Sequence, residues 1–342
     1  MKKTLIYILP TNFQHEGIKI KVEGQLAYFN TVFKTKLVKL NYNKKKSIIF
    51  NIVKTISFDM RSLFYLIIFK HFFVRYNPKS IILNYILFFL SFFKKITLEH
   101  NLNMANELSA MNRLYELKLH DITLKLFKYS TIQHLCVNTE IQQHLIDLGF
   151  SKKYICYHQN GYLQPKENIV TLSKNTINEL QSFKKNYSKT AIFIGSGQPW
   201  HGLDLILELF LNKVDCSIIV IGPYPIKKSN QLYHIHSANS AMIKEIITFS
   251  DFGISNFSWD MINIQVGSPL KSRQYLCNGL PILTNYQDSA EDITQLKPFI
   301  YNLKTNSNAI KDILNHSHSK KLIQKEAQEH LSWKSVYKTL NL

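Results

Sequence analysis

Residues able to bind and activate a charged substrate concentrate between Ser268 and Asn285, in the run SPLKSRQYLCNGLPILTN. Ser268, Lys271, Arg273 and Gln274 lie on a short amphipathic run, Gly279 closes it, and the apolar run Pro281–Leu283 follows. A helix that ends on a glycine and leads into a buried strand is an α/β signal. In open α/β sheets, ligands sit at helix N-termini and at the carboxyl ends of strands. Backbone N–H groups, a serine hydroxyl and two cations suit a nucleotide diphosphate there. The plainer alternative is an ordinary amphipathic helix with a glycine C-cap.

Three other places carry suitable groups. Gly195-Ser196-Gly197-Gln198-Pro199-Trp200-His201-Gly202 lies between a strand-like run and a helix-like run, and its backbone N–H groups could cradle phosphate. Its spacing is neither that of a dinucleotide fingerprint nor that of a Walker loop. Trp200 and His201 could contact a ligand, or Trp200 could plug the core. Glu99-His100-Asn101 follows the apolar run Ile96–Leu98, where a carboxylate and an imidazole could orient sugar hydroxyls or move a proton. The other reading of this turn is a helix cap. Gly17 follows the first strand-like run and could admit a ligand close to the backbone or simply turn the chain. Asp288 could cap a helix or touch a ligand.

These sites need scaffolding, and the pattern supplies it. Strand-like runs at Thr4–Leu9, Lys36–Leu40, Ser80–Leu83, Ile96–Glu99, Thr131–Val137 and Tyr154–His158 alternate with helical patterns at Val22–Phe33, Ile48–Val74, Leu108–Tyr129 and Thr139–Leu148. A polar Lys/Asn/Ser-rich stretch then holds one helical run, Lys174–Lys185. A second alternating series follows, with strands at Thr190–Ile194, Cys216–Ile221, His234–His236, Phe252–Ser255 and Pro281–Leu283. Its helices are at Gly202–Asn212, Ser240–Phe249, Lys271–Cys277 and Asn306–Asn315. Such alternation predicts parallel βαβ units, hence an α/β chain of two doubly wound, Rossmann-like domains facing a cleft.

Bulk composition narrows the partners. The 342 residues are 45% hydrophobic and 19% charged, which fits a folded chain of two ordinary domains. Forty-two Lys and Arg against 23 Asp and Glu give a formal net charge of +19, which favours an anionic partner. Zinc-knuckle spacing, RGG runs and basic regions with heptads are missing, so nucleic acid is not expected. Cys136, Cys156, Cys216 and Cys277 are scattered in apolar runs, which predicts free thiols in a reducing cytoplasm and no metal site. The opening MKKTLIYILPTN imitates a signal peptide but has a short apolar run and no small-residue cleavage site, so it reads as a first strand. Residues 46–95 are strongly apolar but broken by Lys54, Asp59, Arg61 and Lys70, short of the ~20 apolar residues of a spanning helix. Phe, Leu and Ile beside Lys and Arg suit an interfacial segment at an anionic membrane, or core elements with flanking lysines.

Taken together, the motifs resemble the group 1 glycosyltransferases of the GT-B fold, a retaining family that uses nucleotide sugars. CVNTEIQQHLIDLGF with YICYHQNGYL resembles the stretch that closes the first domain of that family. FIGSGQPWHGLDLILELF resembles the strand, loop and helix that open the second. SDFGISNF with SPLKSRQYLCNGLPILTNYQD resembles the donor-nucleotide segment, and HLSWKSVYKTL the final helix that crosses back to the first domain. The resemblance implies an acceptor-binding domain over residues 1–165, a linker over 166–188, a nucleotide-sugar domain over 189–325 and a returning helix over 326–342.

It also implies roles. Lys271 and the N–H groups around Ser268 would bind the donor diphosphate, with Arg273 sharing that load; Gln274 stands where the family usually has a ribose-binding Glu. Gly195, Ser196, Trp200, His201 and Gly202 would line the donor phosphates, His201 standing where many members have Lys. Gly17 would belong to the loop facing the cleft, and Glu99 and His100 to the polar turn near the transferred sugar. Val266 occupies the spacing of the family's first acid. The expected activity is transfer of a hexose from a nucleotide-diphospho-sugar to a hydroxyl of a lipid-linked glycan in bacterial surface polysaccharide synthesis. It would proceed with retention and without metal or cofactor, the nucleotide sugar being a co-substrate, in the cytoplasm at the inner face of the membrane. The alternatives are a nucleotide-sugar epimerase and a non-catalytic membrane or scaffold protein whose donor site has decayed.

Overall fold

The computed structural model describes residues 2–11, 16–40, 48–164, 172–340 and 342. The chain divides into two compact units, Met1–Gln159 with Tyr337–Leu342, and Asn160–Val336.

The first unit runs β1 (Thr4–Leu9), α1 (Glu16–Val32), β2 (Lys34–Lys39), α2 (Ile48–Ile68), β3 (His71–Arg75), α3 (Ile81–Ser91), β4 (Lys95–His100), α4 (Met104–Ala110), α5 (Leu114–Phe127), β5 (Gln133–Cys136), α6 (Thr139–Asp147) and β6 (Ile155–Tyr157). Its sheet has the order β2-β1-β3-β4-β5-β6, and every pairing is parallel. Leu5 to Leu9 are fully buried, which is why β1 reads as a continuous apolar run: a parallel strand is covered on both faces. On one face, Ile6, Ile8 and Leu98 share a core with Phe58 and Leu66 of α2, Leu83 and Leu87 of α3, and Phe127 of α5. On the other, Tyr7 packs edge-on against Phe29 of α1 and Phe73, and Tyr337 stacks on Phe29.

Three expected elements differ here, the first being the helical pattern over Leu108–Tyr129, which is broken between α4 and α5. The helical pattern over Ile48–Val74 ends at Ile68, and β3 takes the residues from His71. The expected strand Ser80–Leu83 is the beginning of α3. Both lie in a run so rich in Ile, Leu and Phe that helix and strand periods cannot be told apart. Local hydrogen bonds decide the case of Ser80–Leu83: the Lys79 N–H donates to Asn77 Oδ1 (3.0 Å) and the Ser80 N–H to the Asn77 carbonyl (3.2 Å), turning the chain into a helix.

The second unit runs α7 (Lys174–Lys185), β7 (Lys189–Ile194), α8 (Leu203–Phe210), β8 (Cys216–Ile221), β9 (Leu232–Ile235), α9 (Ser240–Ile247), β10 (Phe252–Ile254), β11 (Val266–Gly267), α10 (Leu270–Cys277), β12 (Ile282–Thr284), β13 (Gln287–Asp288), β14 (Ile300–Asn302), α11 (Ala309–Leu314), α12 (Lys320–Leu331) and α13 (Trp333–Val336). Its main sheet is again wholly parallel, in the order β14-β12-β10-β7-β8-β9, with a small ladder of β11 and β13 beside it. The α/β architecture of two doubly wound sheets is therefore as expected.

The expected domain limits sit elsewhere. Residues 166–171 of the expected linker lie outside the described residues. The rest of it is α7, which belongs to the second unit and buries Leu180 completely. Helices α12 and α13 also belong to that unit, where the Leu331 carbonyl accepts from the Tyr162 N–H at 2.8 Å. From the expected returning segment, only Tyr337–Leu342 joins the first unit.

Candidate functional site

In a doubly wound sheet, a crevice opens where successive crossovers leave in opposite directions, at the carboxyl ends of the strands. The order of the second sheet puts that point between β7 and β10. Gly195 follows β7 and Ser255 follows β10.

Gly195 has no room for a side chain: a Cβ there would lie 1.9 Å from the Tyr224 hydroxyl oxygen. Gly202 holds φ at +72°, the left-handed region that glycine adopts without strain, and starts α8. Between them the short turn Pro199–His201 presents His201 back toward the loop. Its Nδ1 accepts from the Ser196 N–H (3.4 Å) and meets the Tyr224 hydroxyl at 3.0 Å. With Nδ1 accepting, the neutral ring carries its proton on Nε2. Burial, helped by the nearby charge of Lys271, lowers the His201 pKa to about 2, so the ring is neutral at physiological pH. Trp200 packs partly buried against Trp259, Ile262, Ile264 and Tyr286, which makes it a core plug more than a ligand contact.

Helix α10 delivers Lys271 to the same place. Its ammonium is buried, finds no hydrogen-bond partner among the described residues, and lies 4.6 Å from the ring centre of Phe193 on β7. Burial lowers its pKa to about 7. Gln274, one turn on, is 5% exposed, and its Nε2 also lacks a partner among the described residues. The structure thus gathers Gly195, Ser196, His201 and Lys271, with Gly202 behind them.

Two residues expected to contact a donor point elsewhere. Arg273 is completely buried: Nη1 donates to Asp288 Oδ1 at 2.5 Å and Nε to the Asn160 carbonyl at 3.3 Å. Ser268 is 6% exposed; its Oγ accepts from the Asn160 N–H (2.8 Å) and its carbonyl from Asn160 Nδ2 (2.5 Å). Both are corrected to positioning residues that fix the start of α10. Asp288 takes the capping role: it accepts from Ala290 N–H at 2.9 Å and from the Tyr286 hydroxyl at 2.8 Å.

The first unit treats its expected residues differently. Glu99 and His100 are adjacent on β4, so their side chains leave opposite faces of the sheet. Glu99 is fully buried against α1: Lys21 Nζ lies 3.0 Å from Oε1, Gln25 Nε2 donates to Oε1 at 2.6 Å, and Asn101 Nδ2 to Oε2 at 3.0 Å. Burial alone would raise its pKa, but Lys21, Arg75 and these hydrogen bonds outweigh that and hold it below the ordinary value. His100 is buried on the other face, its Nε2 2.9 Å from His134 Nδ1, and burial keeps it neutral. The two do not form one acid–base pair. Gly17 lies exposed in the first turn of α1, and a Cβ there would meet nothing within 4 Å, so close approach does not require a glycine.

Sequence reasoning missed Tyr224, Phe193 and Tyr275 around the loop. The Tyr275 hydroxyl accepts from the Ile194 N–H at 2.9 Å, and its ring fits because residue 253 is glycine, where a Cβ would lie 2.3 Å from that ring. A glycine inside a strand was the available signal.

No family model matches this sequence, and no curated protein does. Solved structures do match in fold. Anabaena Alr3699/HepE, in complex with UDP and glucose, is similar at a TM-score of 0.63 and 9% identity, covering 99% of this chain and 98% of its own. WaaG, a glycosyltransferase involved in lipopolysaccharide biosynthesis, is similar at 0.61 and 10% identity, over 97% and 96%. Sucrose-phosphate synthase from Thermosynechococcus elongatus is similar at 0.66 and 8% identity, over 98% and 96%. The chain therefore has the two-domain fold of the GT-B glycosyltransferases.

Proposed function

We propose that this protein is a glycosyltransferase that moves a hexose from a nucleotide-diphospho-sugar to a hydroxyl of a lipid-linked glycan during bacterial surface polysaccharide synthesis. The observation that carries the reading is the Lys271 ammonium, buried with no anion among the described residues, beside a glycine loop at the switch point of the second sheet. A buried cation without a counter-charge is costly, and a diphosphate entering the crevice would supply one. The leaving group of the reaction is a nucleoside diphosphate, so stabilising its charge is the main catalytic need. Lys271 and the N–H groups of the Gly195–Gly202 loop supply that charge without a divalent ion, and neutral His201 donates from Nε2. Transfer proceeds with retention in this reading. The bound UDP and glucose of HepE and the lipopolysaccharide role of WaaG favour the donor class and the pathway. The enzyme works in the cytoplasm, peripherally, at the anionic inner face of the membrane.

The test is turnover across a panel of nucleotide sugars, comparing the native chain with Lys271→Ala. Loss of roughly a hundredfold or more is expected, with the native rate unchanged by EDTA. Equal rates in the two proteins would sink the phosphate role. A non-catalytic scaffold is the second reading, favoured by the closed Arg273–Asp288 pair and the neutral Gln274. It predicts no thermal stabilisation by UDP, GDP or dTDP.

A further inference from the structure

The outer sides of α2 and α3 have no place in donor chemistry. Both helices cover the same face of the first sheet, since Phe58, Leu66, Leu83 and Leu87 enter one core. Their opposite sides are apolar as well. On α2, Val53, Ile56, Met60, Phe64 and Ile67 are 56–65% exposed and recur at helical spacing. On α3 and the turn after it, Ile82 and Phe89 are each 62% exposed and Phe93 is 80% exposed. Water-facing apolar stripes of this extent on neighbouring helices mark an interaction surface. The charges beside them are of one sign: Lys54, Arg61 and Lys70 are exposed, while the sole acid between residues 48 and 95, Asp59, is half-buried. In the second unit, Leu163, Met261 and Leu322 are the exposed large hydrophobics among the described residues, and they form no such stripe.

We infer that the outer face of α2 and α3 lies on an anionic lipid bilayer, with Phe64, Phe89 and Phe93 sunk into the headgroup region and Lys54, Arg61 and Lys70 against lipid phosphates. The inference rests on the reading that the enzyme works at a membrane, and names the face that does so. Among the described residues no helix is long and apolar enough to cross a membrane, which fits helices lying on the surface. A second copy of the chain fits less well, because two such faces would set like charges against each other.

The experiment is flotation of the full chain with vesicles of phosphatidylcholine alone or mixed with phosphatidylglycerol. The native protein floats with the mixed vesicles, and binding weakens with salt. Phe64→Ser with Phe89→Ser lowers partition roughly tenfold or more. Lys54→Glu and Arg61→Glu each lower it roughly fivefold, on anionic vesicles only. All variants keep the native thermal midpoint and the native turnover on a soluble acceptor. If the native protein floats and the serine variant floats equally well, this face is wrong while the membrane reading survives. If the native protein does not float, both fall, whatever the donor assays show. A native dimer dispersed by the serine changes, without flotation, assigns the face to a second copy and overturns the inference.

Discussion

Buried charge is handled in two ways at corresponding places in the two sheets. Near the end of β4 in the first unit, Glu99 is enclosed by Lys21, Gln25 and Asn101, and both its oxygens are occupied. Near the end of β7 in the second, the half-buried Lys271 has its ammonium enclosed beside an aromatic ring, with no anion among the described residues. A carboxylate with all its partners in place is architecture, because opening it to a substrate would strand Lys21. A cation buried without its partner is prepared for one that arrives from outside. The comparison extends outward, since the first unit exposes apolar helix faces while the second keeps almost all of its large hydrophobics inside.

The sharpest way to break this contrast is to damage the second unit's own satisfied pair. Arg273→Met leaves Asp288 buried without its cation and should cost about 3–5 kcal/mol, read as a lower urea midpoint for the second unit alone. Lys271→Met removes a desolvated charge and should leave that midpoint unchanged or raise it near pH 6. If both changes cost the same, Lys271 is structural.

Acid is the next lever and acts on the first unit. Burial lowers the His134 pKa to about 3 and that of His120 to about 4. The unfolded chain, with a histidine pKa near 6.5, takes up these protons first. Stability is therefore unaffected above pH 6.5 and falls as the pH drops from there toward 3. At pH 5 each such histidine should cost about 2 kcal/mol. A first-unit unfolding step that moves to lower urea between pH 7 and pH 5, with a shallower slope in His134→Phe, is the expected result.

Donor affinity supplies a smaller, graded effect. Free Lys271 has a pKa of about 7, and a bound diphosphate would raise it. Affinity should be flat below pH 7 and weaken by up to about tenfold per unit above it, in calorimetric titrations with UDP. The same titration of Lys271→Ala should be flat throughout. Smallest of all, Phe89→Ser on the exposed stripe should change stability by less than about 0.5 kcal/mol, in contrast to its effect on vesicle binding.

Much of the fold was legible because buried parallel strands are apolar runs bounded by glycine and polar turns, as at Thr190–Ile194 and Cys216–Ile221. It was not legible between Ile48 and Leu90, where outward residues are as apolar as inward ones and no period survives. At the site, Lys271 and the Gly195 loop could be found from residue type and position. The direction of Arg273 could not, because its partner Asp288 is fifteen residues away in sequence and only the fold joins them. Glu99 and His100 are the instructive pair: the alternation of a strand already implied that neighbours on β4 face opposite ways.

Tyr337 lies against Phe29, accepts a hydrogen bond from Gln25 Nε2 at 2.6 Å and is 1% exposed. In the order of synthesis it follows the entire second unit. A ribosome emitting this chain would therefore hold the earlier half unfinished, without the ring that covers Phe29 and engages Gln25, until Tyr337 emerges. Chaperones and proteases would meet that half in its incomplete state until then.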